Sequence, residues 1–275
     1  MDKSVEIYIL THKKITEPYD ASLYKPILNG SINASEDFGY IRDDSGDNIS
    51  DLNDYYGELS GEYWVWKHSN ADIIGFCHYR RWYARNLTWK KLTKEDIIKD
   101  LKKYDIILPH NLHFTKSLYD MQKETDITEP NYDATYEDYF KVEQVLEKYF
   151  PDYAKCYHDV MNGKKMWAFT IFISTREVAD GYFNWVFSVF DKLSEEIDLK
   201  KYDRNLRDPR IFAFIAERLL TVYVIKNNLK VKEYETLFSE RILPIVPSIF
   251  ARFPRFRKVE KFGYRVLDNL LSLFQ

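Results

Sequence analysis

Short apolar runs rich in β-branched and aromatic residues alternate along this chain with longer segments of helical period, separated by polar clusters. Residues 5–10 predict a buried first strand that ends at Thr11, His12, Lys13 and Lys14. Residues 71–77 predict a second, closing on His78, Tyr79, Arg80 and Arg81, and residues 105–109 a third, followed by His110 and Asn111. A fourth strand is predicted over 166–174 and a returning last one over 229–234. Helical patterning covers 55–67, 93–103, 135–150, 153–161, 176–197 and 208–227. Thr93 with Asp96 three positions later makes a capping pattern, and Pro151 stops the helix before it. Residues 19–53 show little periodicity and clusters of Asn, Asp, Gly and Ser, so a long loop region is expected there.

Strands alternating with helices predict an α/β domain with a mainly parallel central sheet flanked by helices. Such sheets bind ligands past the carboxyl ends of their strands. Thr11 and His12, the stretch His78 to Arg81, and His110 with Asn111 all fall at such ends. No repeat or Gly/Pro/Ser-rich linker divides the chain, which is expected to form one domain over 1–250. Residues 251–275 differ: Arg252, Arg255, Arg257, Lys258, Lys261 and Arg265 alternate with Phe253, Phe256, Val259 and Phe262. This basic amphipathic tail fits either an anionic bilayer surface or a dock on the protein body.

Composition narrows the function classes. Hydrophobic residues at 45% and charged residues at 30% exclude a disordered or collagen-like chain and specify a globule. A formal net charge of -3 gives no global attraction to nucleic acid. Cys77 and Cys156 stand far apart, without a zinc framework or disulfide scaffold, which fits a reducing compartment. The first residues lack the apolar centre of a signal peptide and no stretch approaches the ~20 apolar residues of a membrane span, so a cytoplasmic location is expected. The 22 Tyr and 18 Phe suit a surface that stacks on sugar rings or bases, although a compositional bias toward Tyr, Phe, Ile, Lys and Asn explains the larger part of them, so the enrichment lends only weak support.

Candidate chemistry gathers at four places. Asp43, Asp44, Asp47 and Asn48, in a loop with Gly39 and Gly46, offer oxygens for sugar hydroxyls or a divalent ion, or form a solvated acidic turn. Adjacent Arg80 and Arg81 can grip a diphosphate with forked, charge-assisted hydrogen bonds, while His78 offers a ligand to a phosphate, a sugar hydroxyl or a metal. Glu217 and Arg218 interrupt an apolar helix face, as a base with a tuned pKa or as a structural ion pair. Glu58 begins a helix, where a carboxylate also serves the dipole. No phosphate loop, dinucleotide fingerprint or nucleophile elbow occurs, which argues against ATPase, Rossmann dehydrogenase and serine hydrolase classes.

Taken in order, the stretch Ile7 to Lys13, the loop Asp43 to Ser50, Tyr56 to Gly61 with Tyr63 to Lys67, Gly75 to Arg81 and Phe214 to Leu219 resemble the DUF4422 family, a glycosyltransferase-like family of capsular and exopolysaccharide gene clusters. The resemblance implies a GT-A-like fold, a nucleotide-diphosphate sugar as donor, UDP-linked foremost and galactofuranose among its sugars, and a growing or lipid-linked glycan as acceptor. A non-catalytic glycan-binding member is the alternative. Most GT-A enzymes hold Mn²⁺ or Mg²⁺ through Asp-x-Asp at a strand end; here His78-Tyr79-Arg80-Arg81 takes that place, leaving metal use open and letting cations do the ion's work. By this resemblance Thr11 and His12 would meet the nucleotide, and Arg80, Arg81 and Arg218 would assist the donor's diphosphate. Asp44, Asp47 and Asn48 would position sugar hydroxyls or a metal. Glu217 would be the base of an inverting reaction, with Glu58 second and His78 beside them. The tail would keep the enzyme at the inner face of the plasma membrane.

Overall fold

The computed structural model describes residues 3–16, 18–85, 90–129, 134–202 and 209–238; the basic tail over 251–275 lies outside them. In chain order the elements are β1 (Val5–Thr11), β2 (Tyr24–Leu28), β3 (Ile41–Arg42), α1 (Asn53–Tyr56), α2 (Leu59–His68), β4 (Ile73–His78), β5 (Arg81–Ala84), α3 (Lys94–Asp100), β6 (Ile106–Pro109), β7 (Leu112–His113), α4 (Leu118–Thr128), α5 (Tyr136–Tyr149), α6 (Pro151–Met161), β8 (Lys165–Met166), β9 (Ile173–Thr175), α7 (Arg176–Glu196), α8 (Ile211–Lys226) and β10 (Val231–Phe238).

The sheet is α/β and flanked by helices, but it is mixed rather than mainly parallel. Eight strands lie in the order β3-β2-β1-β4-β5-β10-β6-β9. The β3-β2-β1-β4 half is parallel throughout, and β10 runs parallel to β6. The β4–β5, β5–β10, β4–β9 and β6–β9 pairings are antiparallel. The cause is local: the chain turns back at once after His78, with Tyr79 and Arg80 as the two turn residues, so no helix intervenes to make a parallel crossover. Because β4 also pairs with β9, the pairings β4-β9-β6-β10-β5-β4 trace a closed circuit.

Both faces of the sheet are covered, which is why β1 and β4 read as continuous apolar runs. On β1, Tyr8 and Leu10 join Ile74 and Phe76 of β4 against α5, α7 and α8 in the larger core. Ile7 and Ile9 join Ile73, Cys77, Trp82, Tyr83 and Ile97 in a smaller core on the other face. Thr93 and Asp96 exchange the two hydrogen bonds of a capping box at α3, and Thr135 with Asp138 does the same at α5. The region expected to be one long loop contains β2 and β3. The amides of odd-numbered β2 residues face β1, as Asn29 N donating to Thr11 O at 2.8 Å shows, so Pro26 turns its missing donor away from that ladder. The single strand expected over 166–174 is two short strands, β8 and β9, with a loop between them.

Candidate active site at the carboxyl edge

The β4–β5 hairpin sets His78 and Arg81 directly opposite each other. Arg81 Nη1 donates to His78 Nδ1 at 3.2 Å. A guanidinium can only donate, so Nδ1 is the acceptor and the ring proton sits on Nε2. That Nε2 is buried without a hydrogen-bond partner, 3.9 Å from Glu58 Oε1. Burial, followed by the charges of Arg81, Arg80 and Arg210, holds the His78 pKa well below the usual imidazole range, so the ring is neutral.

Arg81 also lies against aromatic rings. Its guanidinium carbon lies 4.2 Å from the Phe169 ring centroid and 5.7 Å from that of Phe238. Burial and Arg80 pull its pKa down, while Glu217 and Glu58 pull it back up. Phe169 has φ 67, a left-handed conformation that costs a non-glycine residue energy and is kept only where the surroundings enforce it.

Two backbone features bring the carboxylates here. Gly57, at φ 54 and ψ -128, breaks α1 from α2 and starts the second helix at Glu58. A Cβ at this glycine would stand 3.2 Å from Arg210 Cδ and 3.3 Å from Ala213 Cβ, so its absence lets the first turn of α8 close on the α1–α2 corner. One turn further along α8, Glu217 acts electrostatically on Arg81. Glu58, His78, Arg81, Arg210 and Glu217 thus converge.

The other expected residues fall elsewhere. Arg218 turns to the helical layer: Nη1 donates to Phe214 O at 2.9 Å and to Glu217 Oε2 at 3.4 Å, and the guanidinium covers the Tyr139 ring at 4.6 Å. Arg80 is exposed at the hairpin tip, 5.5 Å from the Tyr79 ring centroid. His12 meets the same ring edge-on at 5.3 Å and Lys13 Nζ lies 4.6 Å from its centroid, which makes Tyr79 the centre of a basic patch. The buried Thr11 hydroxyl closes the turn after β1, donating to Lys13 O at 2.7 Å.

The structure does not bring Asp44, Asp47 and Asn48 to this cluster. Asp44 takes both Nε and Nη2 of Arg42, Asp47 accepts from Tyr63 Oη at 2.9 Å beside Lys67, and Asn48 spans its own turn to Gly46 O and Ser50 N. The loop runs down the outer side of α2, away from Glu58, because its Ser45 oxygens receive Trp64 Nε1 and its Asp47 carbonyl meets His68. Asp43 is the organiser: fully buried, it accepts five hydrogen bonds, from the Gly30 and Ser31 amides and the Ser31, Ser50 and Ser60 hydroxyls.

Two groups next to the site had no clear signal in the sequence. Glu62, one turn along α2 from Glu58, is fully buried; the Thr170 hydroxyl lies beside it and works to lower its pKa, but neither oxygen makes a hydrogen bond of good geometry, and the buried hydroxyls of Tyr83 and Tyr182 also lack partners. Burial, reinforced by the charge of Glu58, raises its pKa well above the usual carboxyl range, so it is a neutral acid. Beside the carboxyl end of β6, Glu233 of β10 accepts from His110 Nδ1 at 2.9 Å, Asn111 N at 3.2 Å, Asn111 Nδ2 at 2.7 Å and Trp167 Nε1 at 2.7 Å. Against the upward push of burial, these bonds bring its pKa down to about 2. Glu235 Oε1 stands 3.6 Å from the other face of the imidazole, at Nε2. In the sequence, the polar pair His110-Asn111 at a strand end, and Trp167 as an aromatic that could stack on a sugar or pack in the core, point to this cluster, whereas Glu233 and Glu235 carry no signal.

Comparison with known proteins agrees with the fold. The chain is similar to a solved structure described as the bifunctional glycosyltransferase WbbM in its apo form, with a TM-score of 0.76 and 29% sequence identity over 86% of this chain. The match spans 46% of that longer chain. No curated protein matches. The profile of the domain of unknown function DUF4422 matches residues 6–228, and the chain belongs to that family.

Proposed function

We propose that the chain is a glycosyltransferase that moves a sugar, a hexose such as galactofuranose, from a UDP-linked donor to a growing or lipid-linked polysaccharide acceptor. One observation carries the reading: a neutral His78, the buried Arg81 and the carboxylates Glu58 and Glu217 meet at the carboxyl edge of the sheet. The similarity to WbbM over most of the chain supports it.

The roles follow from charge. The basic patch of His12, Lys13 and Arg80 around Tyr79 faces the nucleotide's phosphates, and Arg81 meets the diphosphate oxygen that gains charge as the glycosidic bond breaks. The acceptor oxygen attacks the anomeric carbon, the electron pair of the breaking bond passes to the diphosphate, and the acceptor's proton passes to Glu217. This assignment belongs to an inverting transfer. His78 Nε2–H, beside Glu58, is placed to donate to a donor oxygen. The β4 end does not fit a divalent ion: its one imidazole already accepts from a guanidinium, and three arginines act on it electrostatically. Among the described residues no group of His, Cys, Asp and Glu is arranged to hold a metal, and none of the helices is long and apolar enough to cross a membrane.

Incubating the purified protein with a panel of UDP-hexoses and following UDP release tests the proposal. Slow acceptor-independent hydrolysis of one donor is expected. Binding without turnover would favour a non-catalytic member of the family, and neither binding nor turnover would overturn the reading.

A further inference from the structure

The cluster on Glu233 has the chemistry of a sugar subsite. Trp167 is half-buried, and its indole N–H is held by Glu233 at 2.7 Å, which fixes the ring in place. A fixed indole offers a flat apolar face for the C–H side of a sugar ring. The same carboxylate orients His110 and Asn111, whose Oδ1 is buried without a hydrogen-bond partner. Glu233 is ionised and can only accept, so His110 Nδ1 carries a proton and its Nε2 faces Glu235 Oε1 at 3.6 Å. A face of indole beside an amide oxygen, an imidazole and a carboxylate matches a polyhydroxylated ring.

Its place relative to the donor cluster is set by the chain. Trp167 is two residues from Phe169, so their Cα atoms are at most about 7 Å apart, and Phe169 lies under Arg81. The Trp167 backbone is tied to α8: its N–H donates to Thr221 Oγ1 at 3.0 Å, one helical turn beyond Glu217. Glu217, whose charge acts on Arg81, thus lies one helical turn from the α8 residue that holds the Trp167 backbone, on the side of the helix where a base would serve a donor at Arg81 and an acceptor at Trp167.

We propose that Trp167, His110 and Asn111, locked by Glu233, form the subsite for the acceptor's terminal sugar. This rests on the glycosyltransferase reading above. The test uses methyl α- and β-hexopyranosides of glucose, galactose and mannose as probes, with saturation-transfer NMR for the sugars and calorimetry for UDP. The full-length protein should bind at least one glycoside in the presence of saturating UDP. Trp167→Leu and the milder Asn111→Ala should each weaken that glycoside about tenfold, as expected when a stacking face or a buried hydrogen bond is lost, while UDP affinity and the melting temperature of Asn111→Ala stay near those of the parent. UDP binding with no glycoside signal, displacement of the glycoside by UDP, or an unchanged signal in both variants would overturn the subsite and leave the donor reading standing. Loss of UDP binding in the parent protein would instead overturn the glycosyltransferase reading and the subsite with it.

Discussion

Replacing Glu62 by glutamine should stabilise the fold, and by an amount that grows with pH. In the unfolded chain this carboxyl titrates near pH 4.3 or so, about its ordinary value. In the fold, burial and the neighbouring Glu58 hold it protonated far above that. Between the two values the folded state carries one proton more than the unfolded state, so stability falls as pH rises, by about 1.4 kcal/mol per pH unit. From the unfolded value to about pH 7 that amounts to at most roughly 4 kcal/mol when the buried acid stays protonated throughout. Glutamine has nearly the same shape and no proton to lose. Its orphaned amide resembles the orphaned acid, which leaves the ionisation of the unfolded chain as the main difference. Urea unfolding of both proteins, followed by tryptophan fluorescence at several pH values between about 5 and 8, should give curves that diverge with pH. A difference that is constant across this range would refute the reasoning, because it would mean that Glu62 is ionised inside the fold.

Four further outcomes are expected. Arg81→Ala should weaken UDP binding about 10- to 100-fold, the loss of a charge-assisted hydrogen bond of about 1.5–3 kcal/mol; calorimetry on the folded variant reads it, and unchanged affinity would remove Arg81 from the donor site. Glu217→Gln should lower turnover about a hundredfold or more with the donor KM retained, as for a group acting in the transition state; normal turnover would end its candidacy as base. Asp43→Ala strands five donors in the core and should cost about 3–5 kcal/mol in chemical denaturation; a loss under about 1 kcal/mol would show that the loop re-forms its bonds elsewhere. Glu233 has its folded pKa depressed to about 2 from 4.5, so its stabilisation is present above the unfolded value and is lost as pH falls through the folded one. Acid unfolding of Glu233→Gln should therefore have a shallower slope over that window, and an identical slope would contradict the assignment.

The elements whose signals are local could be read from the sequence. The helices behind Thr93 and Thr135 announce themselves because the cap bonds join residues three apart. Strands β1 and β4 do so because burial on both faces leaves apolar runs over Ile7 to Leu10 and Ile73 to Cys77. What could not be read depends on partners distant in the chain. The turn at Tyr79 and Arg80 has neither Gly nor Asn, the usual marks of a two-residue hairpin, so β5 was hidden and the sheet looked mainly parallel. Pro26 masked β2, and the apolar stretch around Phe169 concealed a left-handed residue inside what reads as one strand. At the site, His78 and Arg81 were legible as polar residues at a strand end, Glu58 as a carboxylate at a helix start and Glu217 as an interruption of an apolar helix face. Glu233 and Glu235 acquire meaning only through the register that sets β10 against β6 and β5. The acidic loop drew attention by composition alone, whereas its contacts are with its own turns and the far side of α2.

The position of β10 bears on how the molecule is made. This strand is the last described element, yet it is inserted between β5 and β6. While the ribosome is still extending the chain, those two strands have no neighbour on the facing sides, and the pair of unsatisfied edges persists until residue 238 has emerged. A fragment ending at residue 228, the limit of the family match, would lack the strand that closes the gap, and its open edges would invite self-association rather than folding.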